Sequence, residues 1–456
     1  MKVKSSKSTT RKRPLIKTQA VVPQDSSTGI EKSNVKKQIL VSATLMILLL
    51  ITTSFVILYA RGYRLFVDKG APAVSKTGIL QITSTPTSSQ VYINDHLTTA
   101  TNNTINLTPN KYTVKVTKDG YYDFQKDVQI EKEVVTGIDA LLFPKSPSLQ
   151  SISTFGVEEA LIDPSGTKLA FKIASQSAKR NGIYILDMTA RTVPILQGQS
   201  SSSQIANDTV DKFSEAKLSW SPDSKQIIAS ISALQTPIPN SPEDIVPEPT
   251  ITAISPTPDL ATYFLLKTDG LNDVPQDITA TISENLDLWK TQITDREKSR
   301  QKSLKPKVAE FSKKYFKLLS WSPDEKKILY QASESAQMPT FLKPRRIGNN
   351  LLYERRDIKK GAIYIYDTTE DINTRIVDTI EIQPSFNWFP DSEHLVYVHD
   401  KKIQLVDTDG ANLTTIYAGP FLGNYVFPWP DGSKIVILTN LGNTTASPTL
   451  YTIGLK

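Results

Sequence analysis

Three histidines are all that this chain offers to imidazole chemistry, and their positions do not make a ligand set. His96 stands far from the others. His394 and His399 are five residues apart, which does not place them on one face of a strand, so a surface or core-edge role is expected for each. With no cysteine there is no thiolate nucleophile, no disulfide and no zinc–thiolate site. No G-x-S-x-G elbow, phosphate-binding loop or dinucleotide glycine pattern occurs. Asp407-Thr408-Asp409-Gly410 has the opening acids of a calcium loop but neither the later acids nor the final Glu, and reads as a hairpin turn. No cofactor and no catalytic residue are therefore expected. Clustered cations offer a different chemistry, the holding of anions. Between Lys290 and Lys317 ten Lys/Arg stand against Asp295, Glu297 and Glu310, among them Lys298, Arg300, Lys302 and Lys305. A second group gathers Lys343, Arg345, Arg346, Arg355 and Arg356.

The elements that would carry these groups are repeated. Leu161–Phe171, Leu218–Ile228, Leu319–Leu329, Phe386–Val396 and Val426–Val436 each run apolar strand, tight turn, alternating strand. The turns hold Pro164, Pro222-Asp223, Pro323-Asp324, Pro390-Asp391 and Pro430-Asp431, where proline presets φ and Asp with Gly or Ser closes the turn. Third strands follow at Ile183–Asp187, Tyr263–Leu266, Ile363–Asp367 and Ile403–Asp407, and fourth strands at Thr192–Leu196 and Thr414–Tyr417. Four antiparallel strands in a unit of about 40 residues predict a β-propeller of about five blades over residues 149–456. The last unit lacks an outer strand, which Leu149–Phe155 is expected to supply. A degenerate sixth unit within 275–317 stays open.

Insertions interrupt the repeat at 232–260 (Pro-rich), 279–317 (helical) and 332–361. With strands A to D numbered outward, A–B and C–D turns share one rim, and B–C loops and D–A crossings share the other. That parity predicts all three insertions on one rim, where the cations above would form an anionic-partner surface. Trp220, Trp321 and Trp388 occupy equivalent positions and read as packing residues before a sugar platform.

Trp220-Ser221-Pro222-Asp223 and Trp321-Ser322-Pro323-Asp324, with Ile363-Tyr364-Ile365-Tyr366-Asp367, resemble the repeat of TolB-like propellers. Upstream, Gly78-Ile79-Leu80-Gln81-Ile82, Val91-Tyr92-Ile93-Asn94 and Lys111-Tyr112-Thr113-Val114-Lys115-Val116 before Gly120-Tyr121 resemble the PEGA domain over residues 78–144. The family's own tetrapeptide is replaced by Thr108-Pro109-Asn110-Lys111, where Asn110 is expected to take the left-handed turn that glycine would supply. The alternation of apolar residues here predicts four to six short strands, and the resemblance implies an extracytoplasmic β-sandwich with no chemistry of its own.

Ile39–Ala60 is free of charge for 22 residues, so the segment 38–60 is long enough, at about 33 Å as a helix, to span a bilayer. The tail before it, 1–37, holds ten Lys/Arg against Asp25 and Glu31, a net of +8. The whole chain carries +7, so the rest sums to −1 and the basic balance says nothing of nucleic acid. The positive-inside rule then predicts a single-pass protein of the cytoplasmic membrane with its N-terminus inside, residues 61–77 as linker and the remaining domains outside. A cleaved signal peptide is the competing reading, against which stands the length of the apolar run. The fold expected is mainly β: one transmembrane helix, a small PEGA-like sandwich, and a propeller with a helical insertion. The function expected is binding or scaffolding in a prokaryotic envelope, with the bilayer and an envelope protein or anionic cell-wall polymer as partners. The alternative is an envelope glycan- or peptide-acting enzyme using propeller-face carboxylates.

Overall fold

The computed structural model describes residues 32–60, 63–68, 71–189, 202–232, 261–378 and 385–456, in two units, Met1–Tyr63 and Arg64–Lys456. The first unit contains helix α1 (Lys32–Ala60). Its stretch Lys37–Ala60, 24 residues with mean hydropathy 2.4, is the one helix among the described residues long and apolar enough to cross a membrane. None of that stretch is buried, and large apolar side chains from Ile39 to Tyr59 are exposed, an arrangement that suits lipid and not water. The tail 1–31 lies outside the described residues.

A two-stranded sheet, Tyr63–Asp68 and Ala71–Lys76, occupies the stretch expected to be plain linker. Two sheets then form a seven-stranded sandwich, more strands than expected. One is ordered Asn103–Leu107, Gly78–Thr85, Val135–Leu141; the other His96–Ala100, Gln90–Ile93, Lys111–Thr117, Phe124–Gln129. Alternation puts Leu80, Ile82, Val91, Ile93, Val114 and Val116 between the sheets, all buried. The hairpin turn Asn94-Asp95 has φ of 49° and 64°, the positive values that the sequence suggested. Asn110 is not among the positive-φ residues. Its carbonyl accepts the Ile130 N–H at 2.9 Å.

Five four-stranded sheets follow, each in the order A-B-C-D. Blade 1 is Ala160–Ile162, Lys168–Ile173, Gly182–Asp187 and Ser202–Asn207. Blade 2 is Lys217–Trp220, Gln226–Ser232, Ala261–Lys267 and Gln276–Asp277. Blade 3 is Phe316–Trp321, Lys327–Ala332, Ile363–Asp367 and Ile372–Val377. Blade 4 is Ser385–Trp388, His394–His399, Lys402–Asp407 and Thr414–Tyr417. Blade 5 is Val426–Pro428, Lys434–Thr439 and Thr449–Gly454, with Leu149–Ser151 as strand D, antiparallel to Thr449–Gly454. The stretch Thr192–Leu196 lies outside the described residues, and Ser202–Asn207 forms the fourth strand of blade 1. Residues 275–317 make no sixth sheet; they hold α2 (Ile282–Ser303) and α3 (Pro306–Tyr315).

Each A–B turn repeats one backbone solution. The residue two after the proline has positive φ in all five copies: Gly166, Ser224, Glu325, Ser392 and Gly432. In blade 2, Ser224 N–H donates to Ser221 O at 3.0 Å, and the Ser221 hydroxyl oxygen accepts the Gln226 N–H at 2.9 Å. This is a type I turn followed by a left-handed residue, inside a four-residue loop closed by Ser221 N–H donating to Gln226 O at 2.9 Å.

Buried apolar clusters join blade 5 to 1, 1 to 2, 3 to 4 and 4 to 5. Blades 2 and 3 share no such cluster among the described residues. Ile228 and Tyr263 of blade 2 pack on Ile282 and Trp289 of α2. Trp321, Ile328 and Tyr330 of blade 3 pack with Val308 of α3. The helical insertion is a wedge between two blades and not the rim ornament that strand parity predicted.

Candidate functional site

The first cations of interest lie along that wedge. Helix α2 leaves strand D of blade 2, yet Arg296 and Arg300 near its far end reach Glu325, in the A–B turn of blade 3, at 3.2 and 2.9 Å. The hairpin therefore crosses the full height of the sheets and ends at the rim opposite the one from which it departs. Hydrogen bonds from Arg300 and then Arg296 hold the Glu325 carboxyl below its ordinary range. Arg300 also lies 5.9 Å over the Trp321 ring. Lys298 is loosely paired with Asp295 at 3.6 Å, both well exposed. Lys302 and Lys305 are exposed and have no carboxylate within 4.0 Å among the described residues.

The third insertion also departs from its expected rim. Phe341 and Leu342 N–H groups donate to the Asp371 carboxylate at 2.7 and 2.8 Å, and Asp371 belongs to the C–D turn of blade 3. The segment thus runs down the outer strand, where Arg355 N–H donates to Asn373 O and Glu354 bridges Thr374. Its arginines are taken. Arg345 forks onto Glu354 at 2.7 and 3.2 Å, Arg346 meets Glu370 at 2.7 Å, and Arg356 bonds Glu354 at 2.6 Å and Asp371 at 3.0 Å. Arg355 donates to the carbonyls of Leu352 and Glu354. Lys343 and Arg355 of this group lack a carboxylate within 4.0 Å among the described residues. The nine cations do not form one surface: acids of blade 3 and its insertion neutralise Arg300, Arg345, Arg346 and Arg356, and the exposed lysines Lys298, Lys302 and Lys305 lie at the α2–α3 tip.

A second constellation, which the sequence did not single out, joins the sandwich to the turn rim. Lys126 lies 2.6 Å from Asp409 and 3.6 Å from Asp407. Burial pushes its ammonium down, but Asp409 and Asp407 outweigh that and raise it. Strand Phe124–Gln129 is the edge of its sheet, and its outward backbone groups are met by propeller side chains. Gln125 N–H donates to Asn412 Oδ1 at 2.9 Å and Asp127 N–H to the Tyr353 hydroxyl at 3.0 Å. Asn350 Nδ2 donates to Asp127 O at 2.7 Å. An edge that would otherwise invite another strand is closed by these groups.

Beneath lies His394, 6% exposed, with Nδ1 2.7 Å from Asp391 and Nε2 3.3 Å from Asp407. Phe143 of the sandwich and Phe389 of blade 4 stand edge-on to its ring, both at 6.1 Å. His394 is therefore buried between two carboxylates and not the surface or core-edge histidine expected. Its signal was present in the sequence as Asp391, three residues before it in a turn that sets its carboxylate 2.7 Å from the buried imidazole. No group of three or more His, Asp or Glu able to hold a metal ion occurs among the described residues.

Residues 77–145 match the PEGA domain family. The comparison with curated proteins gave no match. Among solved structures the chain is similar to a protein assigned as TolB from Agrobacterium tumefaciens, at 15% identity over 65% of this chain and 78% of that one, TM-score 0.20. It is similar to TolB from Acinetobacter baumannii at 12% identity over 76% of this chain and 60% of that one, TM-score 0.22. A third is the β-propeller domain of the Trilobed protease from Pyrococcus furiosus, at 13% identity over 83% and 96%, TM-score 0.21. The assignment of five blades rests on the sheets themselves. Residues 77–145 are a PEGA domain, followed in the same chain by sheets of propeller type.

Proposed function

We propose that this is a membrane-anchored, extracytoplasmic binding and scaffold protein of the prokaryotic cell envelope, which holds a protein or an anionic envelope polymer on its propeller rim. The observation that carries the reading is the α2–α3 hairpin, a basic insertion wedged between two blades whose tip offers Lys298, Lys302 and Lys305 to an incoming partner. Helix α1 supports the anchor, and the net +8 of residues 1–37 supports a cytoplasmic N-terminus. The PEGA domain supports an exterior location for the residues beyond the anchor. No catalytic step is assigned: His394, the imidazole set between Asp391 and Asp407, is itself 6% exposed and stands edge-on to Phe143 and Phe389.

The test uses the detergent-solubilised full-length protein and an immobilised acidic glycan, polygalacturonate. Retention that weakens with salt and falls in a Lys298→Gln/Lys302→Gln/Lys305→Gln variant supports the polymer reading. Absence of retention, with an envelope protein captured through the same lysines, selects the protein partner. If neither partner responds to the triple variant, the hairpin is not the binding surface.

A further inference from the structure

The wedge leaves a groove of about 610 Å³ between the α2–α3 hairpin and blade 3, within the size range of ligand sites. Its floor is apolar: Leu304, Phe316, Leu318, Trp321 and Ile328. Phe316, Leu318 and Trp321 belong to strand A, on the face that blade 2 would cover if the two blades met directly. A bulge between Leu318 and Ser320 keeps Leu318 and Trp321 on that same face. Tyr330, paired with Leu318, is fully buried, whereas Phe316 and Leu318 are only half-buried. The helices cover this face incompletely.

The mouth is cationic. Lys298, Lys302 and Lys313 line it, and Lys302 and Lys313 have no carboxylate within 4.0 Å among the described residues. Of its two acids, Glu297 is engaged by Gln301 and Arg300. An occupant matched to this site carries an apolar chain and an anionic head. A peptide is a poor match, since the floor is a sheet face whose backbone groups are already paired along the strands and would leave a peptide's own amides unmet. Lysine ammonium groups are effective point-charge partners for phosphate.

We propose that the groove holds an acyl chain of an anionic phospholipid, with the phosphate at Lys298, Lys302 and Lys313. This rests on the reading of the chain as membrane-anchored, which places it where such lipid is supplied. Full-length protein in detergent is titrated with phosphatidylglycerol or phosphatidylcholine brominated in the acyl chain, and tryptophan emission is followed. Phosphatidylglycerol is expected to quench a component that is missing in Trp321→Phe, with an apparent affinity on the order of tenfold above phosphatidylcholine. Lys302→Gln/Lys313→Gln, which alters only exposed side chains, should abolish that preference. Equal quenching by both lipids, or quenching unchanged in Trp321→Phe, overturns the proposal. Flotation with liposomes tests the anchor separately: a chain that fails to float removes the anchored reading, while the quenching titration still decides the groove.

Discussion

The indole nitrogen of Trp388 lies 3.0 Å from the Ser320 hydroxyl and donates to it, tying strand A of blade 4 to strand A of blade 3. A bond of the same kind occurs two seams earlier, where Trp220 Nε1 donates to Leu161 O at 3.0 Å between blades 2 and 1. Trp321, the equivalent residue of blade 3, is buried with its Nε1 unpartnered. The exception falls at the one seam that holds the α2–α3 wedge, so the missing bond and the inserted helices are two views of one displacement.

Replacing each indole by a phenyl ring should therefore have unequal effects. Trp388→Phe and Trp220→Phe each leave an acceptor without its donor, for about 1–2 kcal/mol lost. Trp321→Phe removes an N–H that has no partner and should change stability by less than about 0.5 kcal/mol or raise it. Denaturant midpoints of the three variants decide this; an equal loss in all three would show that the indole bonds do not distinguish the seams.

The A–B turns give a second prediction. Ser224 sits at φ 62° without the freedom of glycine, so Ser224→Gly should raise stability by up to about 1 kcal/mol. Gly432 has φ 66°, and a Cβ there would stand 3.0 Å from the Phe389 ring. Gly432→Ala should cost about 1–3 kcal/mol, read from the same denaturant midpoints. Opposite signs are the expected result, and a shared sign would mean that the turn conformation is not what limits these positions.

These turns also explain what could be read in advance. Proline followed by Asp marks a local conformation, so the hairpins around Pro222, Pro323, Pro390 and Pro430 were legible from short-range chemistry, as was Leu149 joining the last blade, for which a strand was missing. Long-range choices were not legible. Strand parity says where an insertion departs, but its end is set by pairs such as Arg300 with Glu325, 25 residues away, and Arg346 with Glu370, 24 away. Counting arginines without Glu354, Glu370 and Asp371 overstated the free positive charge. Ser202–Asn207, polar and without a β-branched run, carried no strand signal and is a strand because Gly182–Asp187 pairs with it.

The PEGA domain should be fixed to the propeller through Lys126. Lys126→Met leaves Asp409 without its cation and Asp407 with His394 alone, at a cost of about 1–3 kcal/mol. Amide exchange at Gln125 and Asp127 should accelerate as the edge strand loosens. Tyr353→Phe removes the acceptor of Asp127 alone and should speed exchange there while leaving Gln125 as it was. Unchanged exchange at both positions in both variants would mean that the junction does not restrain the strand.

His394 makes the junction sensitive to alkali. Burial by itself would push the imidazole down, but hydrogen bonds and charge from Asp391 and Asp407 outweigh it, and the group is pushed up to about 10 from an ordinary 6.5. Asp391 and Asp407 are both lowered in return: burial would raise them, and the imidazolium overcomes it. A folded pKa above the unfolded one gives stabilisation that is fully present below about 6.5, weakens as pH rises, and is lost as pH passes about 10. Lys126, raised above its ordinary 10.5, keeps its charge through that window and does not mask the effect. The thermal midpoint of the protein should fall between pH 7 and 10, while His394→Gln begins lower at pH 7 and loses most of that slope. Parallel slopes in the two proteins would place the alkaline sensitivity elsewhere and leave His394 neutral in its clamp.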